Sequence, residues 1–226
     1  MNQHNWQAAA QSLAGITVTA SPNNEPVAIM GIAEGFRCIG VGTDAAVFQS
    51  DSAPEYAFKV YAEGKQDKLE AEAEVYAQIG SSHYFSSCYG KDDRMLVLKF
   101  EAGPTLFDCL LQGIDVPEQA IEDVEEARDY IRHIGLNPRD IHLKNIILQN
   151  GRAKLLDVSE YIKPGNDFRW EHLKKAYEEY YPIIDGKPVP FWLLDTIRKW
   201  YHHWNRYSSS FDEFMRIVSK QMNYRK

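Results

Sequence analysis

A glycine-rich segment near residue 40 has the spacing of a loop that can approach phosphate groups. Gly40, Gly42 and Val47 match the pattern G-x-G-x-x-G-x-V, except that Ala45 stands at the third glycine. Glycines leave room for backbone N–H groups to donate hydrogen bonds to phosphate oxygens. A plain hairpin turn has the same pattern. A dinucleotide-binding fold is disfavoured, because its glycine fingerprint opens a helix, whereas this segment lies between two predicted strands.

Lys59 is a second candidate, because it stands in an otherwise apolar predicted strand. One interpretation is a lysine at a sheet edge whose stem reaches solvent. The other is a lysine that holds nucleotide phosphates and is itself held by a carboxylate of the following helix. That helix offers three glutamates, namely Glu70, Glu72 and Glu74. We select Glu72, which stands three residues before an apolar pair.

A third group of polar residues lies over residues 138–157. The segment PRDIHLKN ends at Asn145, and Asp157 follows twelve residues later, after a short apolar stretch. Taken singly, these residues have ordinary roles: Asp140 can pair with its neighbouring arginine in a turn, Asn145 can cap a helix, and Asp157 can form a turn. The order of the whole series argues against coincidence. It runs from glycine loop to strand lysine, helix glutamate, apolar strand, Asp-Asn loop and a final aspartate after a strand.

This series resembles the signature of the protein-kinase-like superfamily, H-R-D-x-x-x-x-N followed by D-F-G. The residues at matching intervals are Arg139, Asp140, Asn145 and Asp157. The resemblance covers about residues 36–160. Within the superfamily, the chain is similar to the small atypical branch, which includes bacterial serine/threonine kinases, Rio-type kinases and lipopolysaccharide-core kinases. It implies a bilobal α+β fold, with an antiparallel sheet and one helix in the N-lobe and a mainly helical C-lobe.

The resemblance also implies residue roles. Asp140 would orient the acceptor hydroxyl and accept its proton, while Asn145 and Asp157 would hold Mg²⁺ against the nucleotide phosphates. Lys59 and Glu72 would form the ion pair that positions the phosphates. ATP would lie between the lobes, with its adenine against a hinge. The residues implied to contact ATP are Ile39, Gly40, Gly42, Val47, Lys59, Leu98 and Glu101.

Several positions depart from the family pattern. Pro138 replaces the histidine of H-R-D, and Val158 and Ser159 replace the last two residues of D-F-G. Loss of that glycine predicts restricted movement of the preceding aspartate. His142 stands where serine/threonine kinases place a lysine that contacts the γ-phosphate, which is similar to small-molecule phosphotransferases. Lys144 is the candidate substitute for that lysine.

These features predict transfer of the γ-phosphoryl group of ATP to a hydroxyl, with serine or threonine as the expected acceptor. A small-molecule or sugar kinase is the nearest alternative, favoured by His142 and by the short segment after Asp157, in which no A-P-E motif is present. A nucleotide-binding pseudokinase that acts as an interaction module is the alternative from another class. Pro138 and the altered D-F-G favour it.

The elements that must position these residues follow from hydrophobic periodicity and turn residues. Strands are predicted at 36–42, 45–50, 56–62 and 95–100, two more within 145–157, and helices at 65–79, 105–112, 117–134 and from 168 onward. We divide the chain into an N-terminal extension that packs on the N-lobe (1–35), an N-lobe (36–100) and a C-lobe (101–226). The hinge is predicted near 99–104.

Composition excludes some classes of partner. The 226 residues carry a formal net charge of −7, which disfavours a general binder of nucleic acid or anionic membranes. No stretch approaches the roughly 20 apolar residues that a transmembrane helix needs, and the N-terminus does not have the pattern of a secretory signal. Three widely spaced cysteines favour reduced thiols and a cytoplasmic location.

Overall fold

The computed structural model describes residues 5–23, 25–31, 33–184 and 186–204. The elements before the predicted hinge are α1 (Asn5–Ser12), a 3₁₀ turn (Leu13–Gly15), β1 (Thr17–Thr19), β2 (Ala28–Met30), β3 (Phe36–Val41), β4 (Ala45–Ser50), β5 (Tyr56–Tyr61), α2 (Gln66–Ile79), β6 (Cys88–Lys91) and β7 (Met95–Lys99). After it come α3 (Leu106–Gln112), α4 (Glu118–His133), β8 (Ile146–Gln149), β9 (Arg152–Leu155), α5 (Arg169–Ile184) and α6 (Phe191–Trp204). The predicted α+β class and its bilobal arrangement are confirmed.

The first half is built on a five-stranded antiparallel sheet in the order β3-β4-β5-β7-β6. β5 lies in the middle, and all six of its residues are buried. Lys59 pairs in register with Val47 of β4 and Leu96 of β7. Lys59 is therefore not at a sheet edge, and the interpretation of an edge lysine that reaches solvent is wrong.

Alternate strand residues face opposite sides of this sheet, as the two-residue period of a strand requires. One side packs against α2 and merges with the core of the second half, and the other forms a separate core with residues before β3. Leu13, Ile16 and Val27 are buried in that second core. The Arg94 guanidinium also donates to the carbonyl of Ile16 at 2.9 Å. Residues 5–31 thus pack on the sheet, while the domain boundaries at 35 and 100 stay predictions.

The second half is mainly helical. Thr105 begins α3 with a capping box, in which its hydroxyl accepts from the N–H of Asp108 while the Asp108 carboxylate accepts from the N–H of Thr105. β8 and β9 form a hairpin whose turn residues Asn150 and Gly151 have φ of 52° and 77°, the conformation that favours Asn-Gly. The hairpin packs beside α4. The predicted continuation of the C-lobe over 205–226 lies outside the described residues.

Within the described ranges, none of the helices is both long enough and apolar enough to cross a lipid bilayer.

Candidate active site

Lys59 and Glu72 form a buried ion pair. The Lys59 Nζ lies 2.6 Å from Glu72 Oε2 and 3.2 Å from Asp157 Oδ2. The carboxylate comes from the buried face of α2, which Leu69 and Val75 share. Burial by itself would lower the pKa of Lys59, but the charges of Asp157 and Glu72 outweigh it and raise that pKa above its usual range. A permanent cation therefore faces Asp157, whose side chain is 39% exposed.

Helix geometry explains why Glu72 is the partner and the neighbouring glutamates are not. Glu72 is fully buried at 0% exposure, three and four residues before the buried Val75 and Tyr76 and hence on the same helix face. Glu70 is exposed and pairs with Lys91, at the surface.

Tyr61 also contacts Glu72 and was missed in the sequence. Its hydroxyl donates to Glu72 Oε2. A signal existed, because Tyr61 lies two residues after Lys59 and side chains at i and i+2 share one face of a strand. Burial, followed by the nearby charge of Glu72, raises the pKa of Tyr61 far above its usual range, so the phenol stays protonated and acts as a donor.

The glycine loop is a tight turn between β3 and β4. The N–H of Gly42 donates to the carbonyl of Ala45 at 2.9 Å, and the Gly42 carbonyl accepts from the N–H of Val27 at 2.8 Å. Asp44 in the same turn pairs with Lys65 at 2.5 Å. A Cβ placed on Gly40 would meet Val47 at ordinary contact distances of 3.6 and 3.7 Å. The packed chain thus has room for a side chain there.

The residues implied to surround the adenine lie on β3, β4, β7 and the following linker. Ile39 is 40% exposed and stands at the irregularity in the β3-β4 register, whereas Leu98 is 9% exposed. Val47 is half-buried. The Glu101 carboxylate lies 3.2 Å from the Lys154 ammonium and accepts from the Gln149 amide at 3.1 Å. Any contact between Glu101 and a nucleotide is left to its backbone.

Asp140 lies in the left-handed backbone region, with φ of 54°, a conformation that aspartate tolerates better than most residues. Its N–H donates to Asp167 Oδ2 at 2.8 Å, and its carbonyl accepts from Asn145 Nδ2 at 3.2 Å. Its carboxylate accepts from Arg169 Nη1. Burial raises the pKa of Asp140, although Arg169 and His142 oppose the shift.

His142 and Lys144 follow Asp140 with different surroundings. The N–H of Lys144 donates to Nδ1 of His142 at 3.3 Å. Burial lowers the pKa of His142 and the nearby Arg169 lowers it further, against the opposing charge of Asp140. The imidazole is therefore neutral at neutral pH. The Lys144 ammonium lies 4.8 Å from the ring centroid of Phe107, and within the described residues it forms no ion pair.

Asp157 is held in place by the residue that replaces the family glycine. Its Oδ1 accepts from the Ser159 hydroxyl at 2.8 Å and from the Ser159 N–H at 3.2 Å. Burial would raise the pKa of Asp157, but Lys59 and the Ser159 hydrogen bonds hold it below the usual range. The carboxylate is therefore ionised. Its backbone φ of 27° is also left-handed.

The structure thus brings together most of the side chains selected from the sequence. One group joins Lys59, Glu72 and Asp157, and a second, on the loop after α4, joins Asp140, His142 and Asn145; the N–H of Leu156 donates to the Asn145 carbonyl at 2.8 Å and links the two. Lys144 and the side chain of Glu101 are directed elsewhere. Among the contacting residues not selected from the sequence are Tyr61, Ser159, Asp167 and Arg169.

Comparison with known proteins supports one family. The chain is 34% identical over 164 residues to the "Putative serine/threonine-protein kinase YrzF" of Bacillus subtilis (strain 168), and the alignment covers 71% of this chain and 76% of that protein. No family model matches the chain. The printed name of the relative agrees with the family that the ordered series from Lys59 to Asp157 resembles. The chain belongs to the protein-kinase-like superfamily.

Proposed function

We propose that the protein transfers the γ-phosphoryl group of ATP to a hydroxyl group, with Mg²⁺ as cofactor, and that a serine or threonine is the acceptor. The relative named as a serine/threonine-protein kinase supports kinase-type phosphoryl transfer. The observation that carries the proposal furthest is Lys59 held between Glu72 and Asp157, at 2.6 and 3.2 Å. Buried charges of this kind are expensive to keep and cluster at functional sites.

The glycine loop fits this proposal. Gly40 and Gly42 do not have the positive φ that would require glycine, and the chain leaves room for a side chain at Gly40. Gly40 is therefore better explained by a requirement for open space outside the loop than by a backbone conformation that only glycine can adopt. Phosphate oxygens that approach backbone N–H groups would use such space. Ile39, Val47 and Leu98 would hold the adenine.

Asn145 and Asp157 fit a Mg²⁺ ion in their chemistry. The Asn145 amide nitrogen is used in the hydrogen bond to the Asp140 carbonyl, which leaves the amide oxygen to bind a cation. The ionised Asp157 carboxylate supplies a second hard oxygen ligand. When bound, Mg²⁺ would neutralise phosphate charge during the transfer.

Asp140 would accept the proton of the acceptor hydroxyl. The hydroxyl oxygen forms a bond to the γ-phosphorus as the bond from that phosphorus to the bridging oxygen breaks, and the electron pair of the broken bond leaves with ADP. Lys59 would hold the phosphates, and Glu72 would hold Lys59. Tyr61, by donating to Glu72, keeps that carboxylate turned toward the lysine.

A thermal-unfolding titration with ATP, with and without Mg²⁺, tests the nucleotide site. At about 100 times Kd, a ligand that binds only the folded protein adds roughly 2.7 kcal/mol to its stability. We expect a Mg²⁺-dependent rise of the unfolding midpoint for the wild type that is lost in Asp157→Ala and kept in Asp129→Ala, an exposed control on α4. No rise with the wild type would contradict the proposal.

A small-molecule acceptor is the second candidate, and one observation favours it. Only residues 158–168 separate Asp157 from α5, and the Arg139 guanidinium holds this segment by donating to the carbonyls of Pro164 and, at 3.2 Å, Gly165. A short, tied segment offers little surface for docking a peptide. Labelling with γ-labelled ATP in the presence of protein acceptors or of polyols and sugars would separate the two. Similarity to the Rio-type and lipopolysaccharide-core branches stays a prediction.

A further inference from the structure

A cation from a distant part of the chain contacts the proposed catalytic carboxylate. Arg169 is the first residue of α5, 29 positions after Asp140, and its Nη1 donates to Asp140 Oδ1. The side chain of Arg169 is 34% exposed and that of Asp140 is 31% exposed. The pair therefore lies at the solvent-facing mouth of the site, where an acceptor would enter.

Hydrogen bonds from neighbouring residues fix the position of Arg169. Asp167 accepts from the N–H of Arg169 at 3.2 Å through Oδ1 and from the N–H of Asp140 at 2.8 Å through Oδ2. The Asp167 side chain thus joins the start of α5 to the loop after α4 that carries Asp140. Phe168, between them, has φ of 57°, which is strained for a bulky residue. Such strain persists only where the surrounding contacts determine the backbone.

The first turn of α5 is also anchored from the other side. Trp170 is 3% exposed and donates through its indole nitrogen to Glu125 of α4. Glu171 accepts from the buried Arg128 of α4 at 2.5 Å. These contacts hold the turn that carries Arg169 against the C-lobe, so the guanidinium is presented to Asp140 by a rigid element.

Among the residues that the structure describes, Asp140 forms no ion pair other than the one with Arg169. His142 stands at the position of the family lysine, and the Lys144 ammonium lies over the Phe107 ring. Arg169 uses Nη1 on Asp140, while its Nε lies 3.7 Å from Asp167. Its Nη2 has no hydrogen-bond partner among the described residues. A guanidinium with free donors suits phosphate oxygens, which it can bind in a bidentate manner.

We propose that Arg169 is a catalytic residue that binds the γ-phosphate of ATP and the phosphoryl group in transit, in place of the lysine absent from position 142. It does so while its hydrogen bond keeps the Asp140 carboxylate in position. The inference rests on the proposed function, because it assigns a further role within the same site.

A comparison of the binding affinities for a triphosphate and for ADP measures contact with the γ-phosphate and does not require phosphoryl transfer. Calorimetric titration would use Mg²⁺ with a non-hydrolysable β,γ-imido analogue of ATP, and separately with ADP. For Arg169→Ala we expect about 10-fold weaker binding of the triphosphate and less than about 2-fold change for ADP, as a lost charge-assisted hydrogen bond predicts. Arg169→Lys keeps the charge and the fold, and should keep part of the preference for the triphosphate.

Two control variants sharpen the comparison. Lys144→Ala tests the rival cation, and Arg132→Ala removes an exposed arginine of α4 that pairs with Asp129. Arg132→Ala should bind the two nucleotides as the wild type does, and Lys144→Ala should keep the wild-type preference for the triphosphate over ADP. A selective loss of triphosphate binding in Lys144→Ala, or an equal loss of both nucleotides in Arg169→Ala and Arg169→Lys, would overturn the assignment.

Single-turnover phosphoryl transfer distinguishes a catalytic role of Arg169 from obstruction of Asp140 by Arg169. Removal of a cation that stabilises the transferring group should slow transfer about 100-fold in Arg169→Ala. Faster transfer in Arg169→Ala would contradict the proposal, because it would show that the ion pair with Arg169 prevents Asp140 from acting as the base. If the wild type bound neither nucleotide, the proposed function itself would be wrong; if it bound both and Arg169→Ala did not change the preference, only the role of Arg169 would be wrong.

Discussion

At the scale of single residues, the charged pair between Lys59 and Glu72 is the least expected feature of an otherwise apolar sheet. Lys59 is 8% exposed and Glu72 is 0% exposed. A buried pair of this kind gives little net stability over apolar residues of similar volume, but removal of one partner leaves the other charge without compensation. The pair is therefore better explained by function than by stability.

Lys59→Ala should both destabilise the protein and weaken ATP binding. The loss of the cation leaves Glu72 and Asp157 without their partner, so we expect the free energy of unfolding to fall by about 3–5 kcal/mol. Denaturant unfolding measures this change. The control is Lys91→Ala, which breaks the exposed pair with Glu70 and should change stability by less than about 1 kcal/mol.

The double variant Lys59→Met/Glu72→Leu distinguishes the two explanations of the pair. Apolar replacement of both partners should recover most of the lost stability, yet ATP binding should stay weak. Recovery of both properties would contradict the role of Lys59 as a phosphate ligand.

Asp140→Asn should slow phosphoryl transfer strongly while leaving nucleotide affinity nearly unchanged. Asparagine keeps the shape of the side chain but cannot accept the hydroxyl proton, so we expect transfer to slow by about 1,000-fold. Transfer of labelled phosphate and calorimetric titration with ATP measure the two effects. Asp129→Asn on α4 is the matched control, and wild-type transfer by Asp140→Asn would rule out the base assignment.

At the scale of elements, residues 5–23 and 25–31 cover the face of the sheet opposite α2. The N–H of Val27 donates to the carbonyl of Gly42 at 2.8 Å, and the N–H of Glu63 donates to the carbonyl of Val18 at 3.2 Å. The extension therefore contacts both the glycine loop and the end of β5. Its packing should matter for the stability of the sheet and for the position of the loop.

Leu13→Ala tests that packing. Leu13 is 0% exposed, and the loss of a fully buried leucine should lower the free energy of unfolding by about 2–5 kcal/mol. Met30→Ala, at a side chain that is 58% exposed, should have little effect. Equal, small effects of both variants in denaturant unfolding would show that the extension does not stabilise the sheet.

Asp123 joins α4 to the β8-β9 hairpin and predicts a pH dependence of stability. Its carboxylate accepts from Arg152 Nη2 at 2.6 Å, from Arg152 Nε at 2.8 Å and from the N–H of Ala153 at 2.8 Å. Burial would raise the pKa of Asp123, but these hydrogen bonds hold it below its usual value. Because the folded-state pKa lies below the unfolded value, the stabilisation is present above about pH 4 and is lost as pH falls through the folded-state pKa.

Asp123→Asn should remove this dependence. We expect the difference in unfolding free energy between wild type and Asp123→Asn to be largest near neutral pH and to shrink below about pH 4. Denaturant unfolding at several pH values measures it. Asp129→Asn, at an exposed position, should show a small difference at every pH, and a wild-type advantage from Asp123 that grew toward low pH would contradict the assignment.

At the scale of the whole molecule, the two halves are joined along one side by specific contacts. Tyr130 of α4 donates to the carbonyl of Ile79 at the end of α2, at 2.6 Å. The Glu101 carboxylate, in the linker after β7, lies 3.6 Å from Lys99 and 3.2 Å from Lys154 of β9. The linker is thus held to the second half as well as to the first.

Glu101→Gln should weaken this junction. The substitution keeps the shape but leaves the two lysines without their shared charge, so we expect the free energy of unfolding to fall by about 1–3 kcal/mol. Nucleotide affinity should change less than in Lys59→Ala, because the side chain of Glu101 is directed away from the sheet residues of the site. Glu122→Gln, at an exposed position of α4, is the control for denaturant unfolding.

The sequence by itself determined the features that depend on neighbouring residues. Helix periodicity selected Glu72 among three glutamates, and the apolar neighbours of Lys59 placed this lysine within a predicted strand. The turn at Gly42 and the spacing from Asp140 to Asn145 are likewise local. Such features follow from the period of 3.6 residues in a helix and of two in a strand, which packing of the remaining chain does not change.

The tertiary structure alone decided which distant residues meet. Arg169 contacts Asp140 across 29 positions, and the Glu101 side chain reaches Lys154 across 53. The sequence left open whether Lys59 lies on an edge strand. β5 is a central strand because β7 pairs with it, and β7 follows only after α2 in the chain. No local period encodes these contacts, since they depend on how whole helices and strands pack against one another.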